Sequence, residues 1–186
     1  MQIITLIDSL KIKRKDIVSL IKKGALFIYP TDTIYGIGCN AENSESVLKI
    51  RTIKRSKINP FSIIAPSKEW IEQNLIIKFP EYLEKLPGPY TLILEKKNQL
   101  FLKEANRPNT LGIRMPNHPF TTLIQEAGVP FITTSVNISG QKPIQQISET
   151  PDEIEEKIDI AIDVGVLNNP PSTVFDLTGD KPEKIR

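Results

Sequence analysis

The chain has 186 residues, 39% hydrophobic and 25% charged, which is enough for one globular domain, residues 1–186, with a full core. A net charge of +2 is too weakly basic to predict nucleic-acid binding by itself, and no run of eighteen apolar residues offers a membrane span. One cysteine, Cys39, and one histidine, His118, exclude an internal disulfide and argue against a zinc site; the amino terminus lacks the basic-then-apolar order of a signal peptide, so a cytoplasmic protein is expected.

Ile3 to Ile7 reads as a short strand or extended arm, and Ile17, Leu20 and Ile21 keep helical spacing until Gly24 stops them. Ala25 to Tyr29 is an apolar strand. It runs into Pro30-Thr31-Asp32-Thr33-Ile34-Tyr35-Gly36, where hydroxyls, a carboxylate and a phenol cluster at a strand end; the bland alternative is a proline turn with Asp32 bonding its own backbone. Asn43 or Ser44 can cap a helix whose apolar stripe is Val47, Ile50 and Ile53. Lys49, Arg51, Lys54, Arg55 and Lys57 put five cations in nine residues, a solvated helix face or the neutralising surface that several phosphate oxygens require. Adjacent side chains on a helix diverge by about 100°, so Lys54 and Arg55 share one pocket only where the helix ends or distorts.

Phe61 to Ala65 reads as a strand, and Ser67 caps a helix through Leu75 with Trp70 in the core. Glu81 to Leu86 is a short helix, Tyr90 to Leu94 a strand, and residues 96–110 a polar connection ending in Asn106, Arg107, Pro108 and Asn109. Leu111 to Met115 is a strand containing Arg114, and a charge inside a strand needs an acid or a ligand. His118 opens the helix Phe120 to Ala127 and is expected to orient backbone. Val129 to Ile132 is a buried strand that ends in Thr133, Thr134, Ser135, Asn137, Ser139 and Gly140, neutral donors suited to anionic oxygens. If this strand and Ala25 to Tyr29 lie parallel in one sheet, their polar tips face the same crevice. Thr150-Pro151-Asp152-Glu153 matches a capping box, and Ile158 to Val164 and Thr173 to Leu177 are further strands. The order of elements predicts an α/β fold with a twisted mixed sheet and flanking helices. Neither Gly-x-x-x-x-Gly-Lys-Ser/Thr nor Gly-x-Gly-x-x-Gly occurs, so any nucleotide binds outside those two solutions.

YPTDTIYGIG, Lys54-Arg55, PGPYTLIL, GIRMPNHP, TTSVNISG, PSTVFDL and Pro182 to Arg186 together resemble the YrdC-like threonylcarbamoyl-AMP synthases, in order and over nearly the whole chain. The resemblance implies a twisted α/β sheet with a basic concave face. It implies ATP-dependent condensation of L-threonine with bicarbonate or carbon dioxide to threonylcarbamoyl-AMP and pyrophosphate, with Mg2+ accompanying ATP. A threonylcarbamoyl transferase complex would then modify the adenosine beside the anticodon of tRNA. By the same resemblance Lys54 and Arg55 form the catalytic basic motif, and Thr33 and Tyr35 belong to the threonine pocket. Ser135, Asn137, Arg114, Ser172, Thr173 and Arg186 would bind nucleotide and anionic substrate groups, with no metal held by side chains. The alternative reading is a catalytically degenerate RNA-binding module, which needs cations and exposed aromatics but neither Thr33, Tyr35 nor Ser-x-Asn.

Overall fold

The computed structural model describes residues 1–56, 59–105 and 109–186; Lys57 of the cation run and residues 106–108 of the polar connection lie outside them. Among the described residues eleven strands form one mixed sheet: β1 Gln2–Thr5, β2 Phe27–Tyr29, β3 Gly36–Gly38, β4 Ser62–Ile64, β5 Leu75–Ile76, β6 Tyr90–Lys96, β7 Thr110–Arg114, β8 Phe131–Ser135, β9 Ile160–Asp163, β10 Thr173–Asp176 and β11 Glu183–Lys184. Their order is β1-β9-β2-β3-β8-β4-β7-β6-β10-β11, with β5 attached to β6. The helices are α1 Arg14–Lys23, α2 Ser44–Ile53, α3 Lys68–Asn74, α4 Thr121–Ala127 and α5 Asp152–Glu155. The expected mixed α/β architecture is therefore present, and no helix among the described residues is long and apolar enough to cross a membrane.

Alternation along the strands sorts side chains between two faces. Ile28, Ile63, Leu92, Leu94, Ile113 and Ile132 share one core with Val47, Ile50 and Ile53 of α2 and Ile71 of α3. Phe27, Tyr29, Ile64, Phe131, Ile160 and Ile162 share the other with α1 and α4. This second core takes no residue from β6, β7 or β10. The helices α1 and α4 thus cover only part of their face, and the strands beyond them present polar side chains to an open concavity.

The loop-and-turn reading of 30–36 misses a strand. The chain turns after β2 and returns as β3, antiparallel to β2 and to β8, so β2 and β8 run parallel with β3 between them and their carboxyl ends point the same way. The strand expected at Val129 to Ile132 begins and ends later, at Phe131–Ser135, because Thr133 and Ser135 pair with β4 and β3 instead of leaving the sheet. The capping box at Thr150 does not form: Pro151 is the N-cap, no side chain caps it, and the Thr150 hydroxyl is buried without a partner among the described residues. Glu81 to Leu86 is a 3-10 helix, Pro80–Lys85, and Asp8–Ile12 forms a π-helical turn that no apolar period announces.

A close approach requires glycine in β3. A Cβ at Gly38 would lie 1.9 Å from the Ile132 carbonyl oxygen, which is backbone and has nowhere to go. Gly38→Ala is expected to destabilise the protein by at least about 2 kcal/mol, read as a fall in the urea midpoint at unchanged slope; an unaltered midpoint would show that β3 and β8 separate freely.

Candidate functional site

One row of residues crosses five strands at matched register: Thr133 of β8, Ser62 of β4, Gly112 of β7, Ile93 of β6 and Asp176 of β10. At about 4.8 Å per strand the row spans about 19 Å. Its centre is low because Gly112 carries no side chain, and a Cβ there would lie 2.9 Å from Ser62 Oγ. Residues two positions along the same strands share the face, which adds Thr91, Thr110, Arg114, Ser135 and Val174. The result is a cavity of about 630 Å³, also lined by Thr31, Thr33, Tyr35, Ser172 and Arg186. That size suits a small-molecule ligand.

The tip of β2 enters from one side. Thr31 Oγ1 and Thr33 Oγ1 lie 2.9 Å apart, and Thr31 Oγ1 donates to the Ile34 carbonyl at 2.7 Å. The cation in β7 finds its partner here: an Arg114 Nη donates to Asp32 Oδ1 at 2.9 Å and to Thr33 Oγ1 at 3.2 Å. Arg114 and Asp32 side chains are only 9% and 10% exposed. Asp32 also accepts from the Asn117 backbone N–H at 2.9 Å; it therefore holds β7 to the β2 tip instead of capping its own turn. Burial lowers the arginine's pKa, with Asp32 opposing the shift, and Arg114 Nε is buried without a partner among the described residues. One guanidinium edge is committed to the scaffold while a donor remains for a ligand.

The tip of β8 supplies the second cluster. α2 ends at Ile53, Lys54 is its C-cap, and Arg55 turns into the left-handed region at φ 49°. That turn separates the adjacent cations. Lys54, 4% exposed, points inward and donates to the Ser135 carbonyl at 2.7 Å and to Asn137 Oδ1. Ser135 Oγ donates to the same Asn137 Oδ1 at 2.6 Å, and Asn137 Nδ2 donates to the Gln141 carbonyl at 2.5 Å. Burial pulls the Lys54 pKa down to about 8. Arg55 instead pairs with Glu153 at 2.6 Å with 65% of its side chain exposed, so the structure does not bring it to the cavity.

At the β10 side, Ser172 Oγ lies 2.8 Å from Thr91 Oγ1, and Arg186 donates to the Ser172 carbonyl at 3.1 Å and to its hydroxyl at 3.2 Å. Thr173 is the exception among the expected nucleotide contacts. It alternates to the opposite face from Ser172 and Val174 and does not line the cavity. Tyr35 contributes to the wall, but its hydroxyl is occupied: it donates to the Gly165 carbonyl at 2.8 Å and accepts from Val164 N–H at 3.0 Å. Burial pushes its pKa up to about 12. The cavity wall holds no histidine or cysteine. His118 Nδ1 accepts from the Phe120 N–H at 3.2 Å, and burial pushes the Cys39 thiol far up. Ser62, Thr91, Thr110 and Gly112 were not singled out from sequence, although alternation of polar positions through Thr110, Gly112 and Arg114 marks one face.

Cations and neutral donors facing a cleft without a nucleophile can bind and polarise an anionic, phosphorylated substrate. The Sua5/YciO/YrdC domain model, described as "Telomere recombination", matches residues 19–186. The chain belongs to this family. It is 36% identical over 184 residues to a putative threonylcarbamoyl-AMP synthase of Methanocaldococcus jannaschii, covering 94% of this chain and 86% of that one. It is 28% identical to the uncharacterized protein YciO of Escherichia coli, covering 91% and 85%. The fold matches P. abyssi Sua5 complexed with L-threonine at a TM-score of 0.79 and 32% identity, covering 94% of this chain. It spans only 53% of that longer protein. E. coli YciO superposes with a TM-score of 0.77 at 27% identity, covering 93% and 89%.

The Lys54 shift has a sign that can be measured. Its folded pKa, about 8, lies below the ordinary lysine value near 10.4. The unfolded chain therefore holds the proton between the two, and stability rises with pH across that window. Relative to Lys54→Met, the wild type is expected to gain stability as pH rises from 7.5 to 10, measured by urea unfolding; parallel curves would contradict a desolvated Lys54.

Proposed function

We propose that this chain is an L-threonylcarbamoyladenylate synthase, a nucleotidyltransferase supplying the precursor for N6-threonylcarbamoyladenosine in tRNA. Its substrates are L-threonine, bicarbonate or carbon dioxide, and ATP. A carbamate oxygen of N-carboxy-threonine attacks the α-phosphorus, the bond to the bridging oxygen of the β-phosphate breaks, and pyrophosphate leaves with its electron pair. The step needs no protein nucleophile. It needs alignment of two anions and donors directed at the phosphoryl oxygens.

The observation that carries this reading is the convergence of Lys54, Ser135 and Asn137 with Thr33 and Arg114 in one cleft, in a chain 36% identical to a putative threonylcarbamoyl-AMP synthase. In it Lys54, Ser135 and Asn137 hold phosphate oxygens, Arg114 binds an anionic substrate group through its remaining donor, and Ser172 and Arg186 extend the nucleotide site. Thr33 bounds the threonine pocket; Tyr35 shapes it with its ring while its hydroxyl fixes residues 164–165. Among the described residues no group of three or more His, Cys, Asp or Glu side chains stands together. In this reading Mg2+ arrives on ATP and supplies charge neutralisation there. The product passes to a transferase complex acting on tRNA.

The test is incorporation of labelled bicarbonate into an adenylate by purified protein with ATP, Mg2+ and L-threonine. Threonine-dependent product is expected. No product, with ATP still bound, would overturn the synthase reading in favour of a binding module. Ser135→Ala and Arg114→Ala are each expected to lower turnover by about one to two orders of magnitude; wild-type turnover in both would remove these residues from the site.

A further inference from the structure

The far end of the cavity differs from the rest. Asp176 is the one carboxylate among the lining residues, set in a wall otherwise made of cations, hydroxyls and apolar groups. It stands in the same row as Thr133, four strands away. Beside it Ile93, Val174 and Ile185 also line the cavity. Ile93 and Val174 are half-buried, and Ile185 is 53% exposed, an apolar shelf with water on it.

The carboxylate is only half used. Thr178 donates to Asp176 from its backbone N–H at 2.9 Å and from its hydroxyl at 2.7 Å, and both bonds fall on Oδ1. Among the described residues no donor is recorded on Oδ2. The Thr178 contacts fix the plane of the carboxyl group at the end of β10, so that the second oxygen is a pre-oriented acceptor. An isolated acid in a phosphate-binding cleft opposes anion binding, and its presence therefore calls for a neutral donor as partner.

We infer that Asp176 reads the base of the nucleotide, selecting a 6-aminopurine. This rests on the reading of the cavity as an ATP site and adds its base specificity. With the phosphates at the β8 tip, a purine laid on Ile93, Val174 and Ile185 brings its exocyclic amino group to Asp176 Oδ2. The amino N–H donates to the carboxylate. A 6-keto purine presents a carbonyl oxygen there instead, which sets two acceptors against each other and leaves both unsatisfied. Asp176 is thus a specificity-determining residue that takes no part in the phosphoryl transfer.

Asp176→Asn separates this role from the turn. Asparagine keeps a carbonyl oxygen for both Thr178 donors and replaces Oδ2 with an amide that donates. Equilibrium binding of ATP, GTP and ITP with Mg2+ to the full chain, by calorimetry without threonine, is the measurement. The wild type is expected to prefer ATP to ITP by at least about tenfold, and Asp176→Asn to bring the two within about threefold. Thr178→Val, which removes one turn contact and leaves Oδ2 untouched, should keep the wild-type ratio. An ATP-to-ITP ratio unchanged in Asp176→Asn, or lost equally in Thr178→Val, overturns the assignment and leaves the synthase reading standing. A lost preference in Asp176→Asn alone, with no threonine-dependent product from the wild type, sustains the assignment and overturns the synthase. Absence of ATP binding by the wild type overturns both.

Discussion

The site depends on a buried ion pair. Arg114 and Asp32 belong to segments 82 residues apart, meet at 2.9 Å, and are nearly closed to solvent. Removing two charges from water is costly, and a buried pair of this kind adds little net stability over apolar groups of the same shape. What it provides is position. Asp32 receives Arg114 on one oxygen and the Asn117 N–H on the other, which ties the β2 tip to the exit of β7. With that tie made, Thr33 lies against the guanidinium and the concavity has a fixed corner.

The opposite corner is set by backbone geometry. Two adjacent cations leave a helix about 100° apart, and the left-handed turn at Arg55 widens the divergence. Lys54 passes under the β8 tip, and Arg55 is left to a solvent-exposed pair with Glu153, worth at most about 1 kcal/mol. The lysine, by contrast, gives up hydration for three oxygen-rich neighbours in one tight group: the Ser135 carbonyl, Asn137 Oδ1 and, through it, Ser135 Oγ. The charge is stored next to neutral dipoles that rotate toward an arriving anion at little cost.

Much of this was legible in the sequence. The apolar runs at Ala25 to Tyr29 and Val129 to Ile132, each ending in hydroxyls, announced two strand tips, and their parallel course follows from the strand between them. The need of Arg114 for a partner was also legible, although either an acid or a ligand fitted. β3 was not, because Gly36–Gly38 has too few side chains for a pattern and forms only where β2 and β8 leave a slot of that width. The fate of Arg55 depends on one backbone dihedral, and that of Thr173 on which side of β10 faces the cavity. Thr150 obeyed the capping rule in sequence and failed it in space, since proline at the next position took the N-cap and Glu153 was drawn to Arg55.

The floor of the concavity is written in the odd-even order of its strands. In β7 the even positions Thr110, Gly112 and Arg114 face the opening, while Leu111 and Ile113 are buried on the other side. Deleting one residue ahead of β7 would shift its parity, turning leucine and isoleucine into the cleft and burying an arginine in the apolar core. Point changes at the floor adjust the site by degrees; a change of chain length in these strands exchanges inside for outside at once, so length variation is confined to the connections between them.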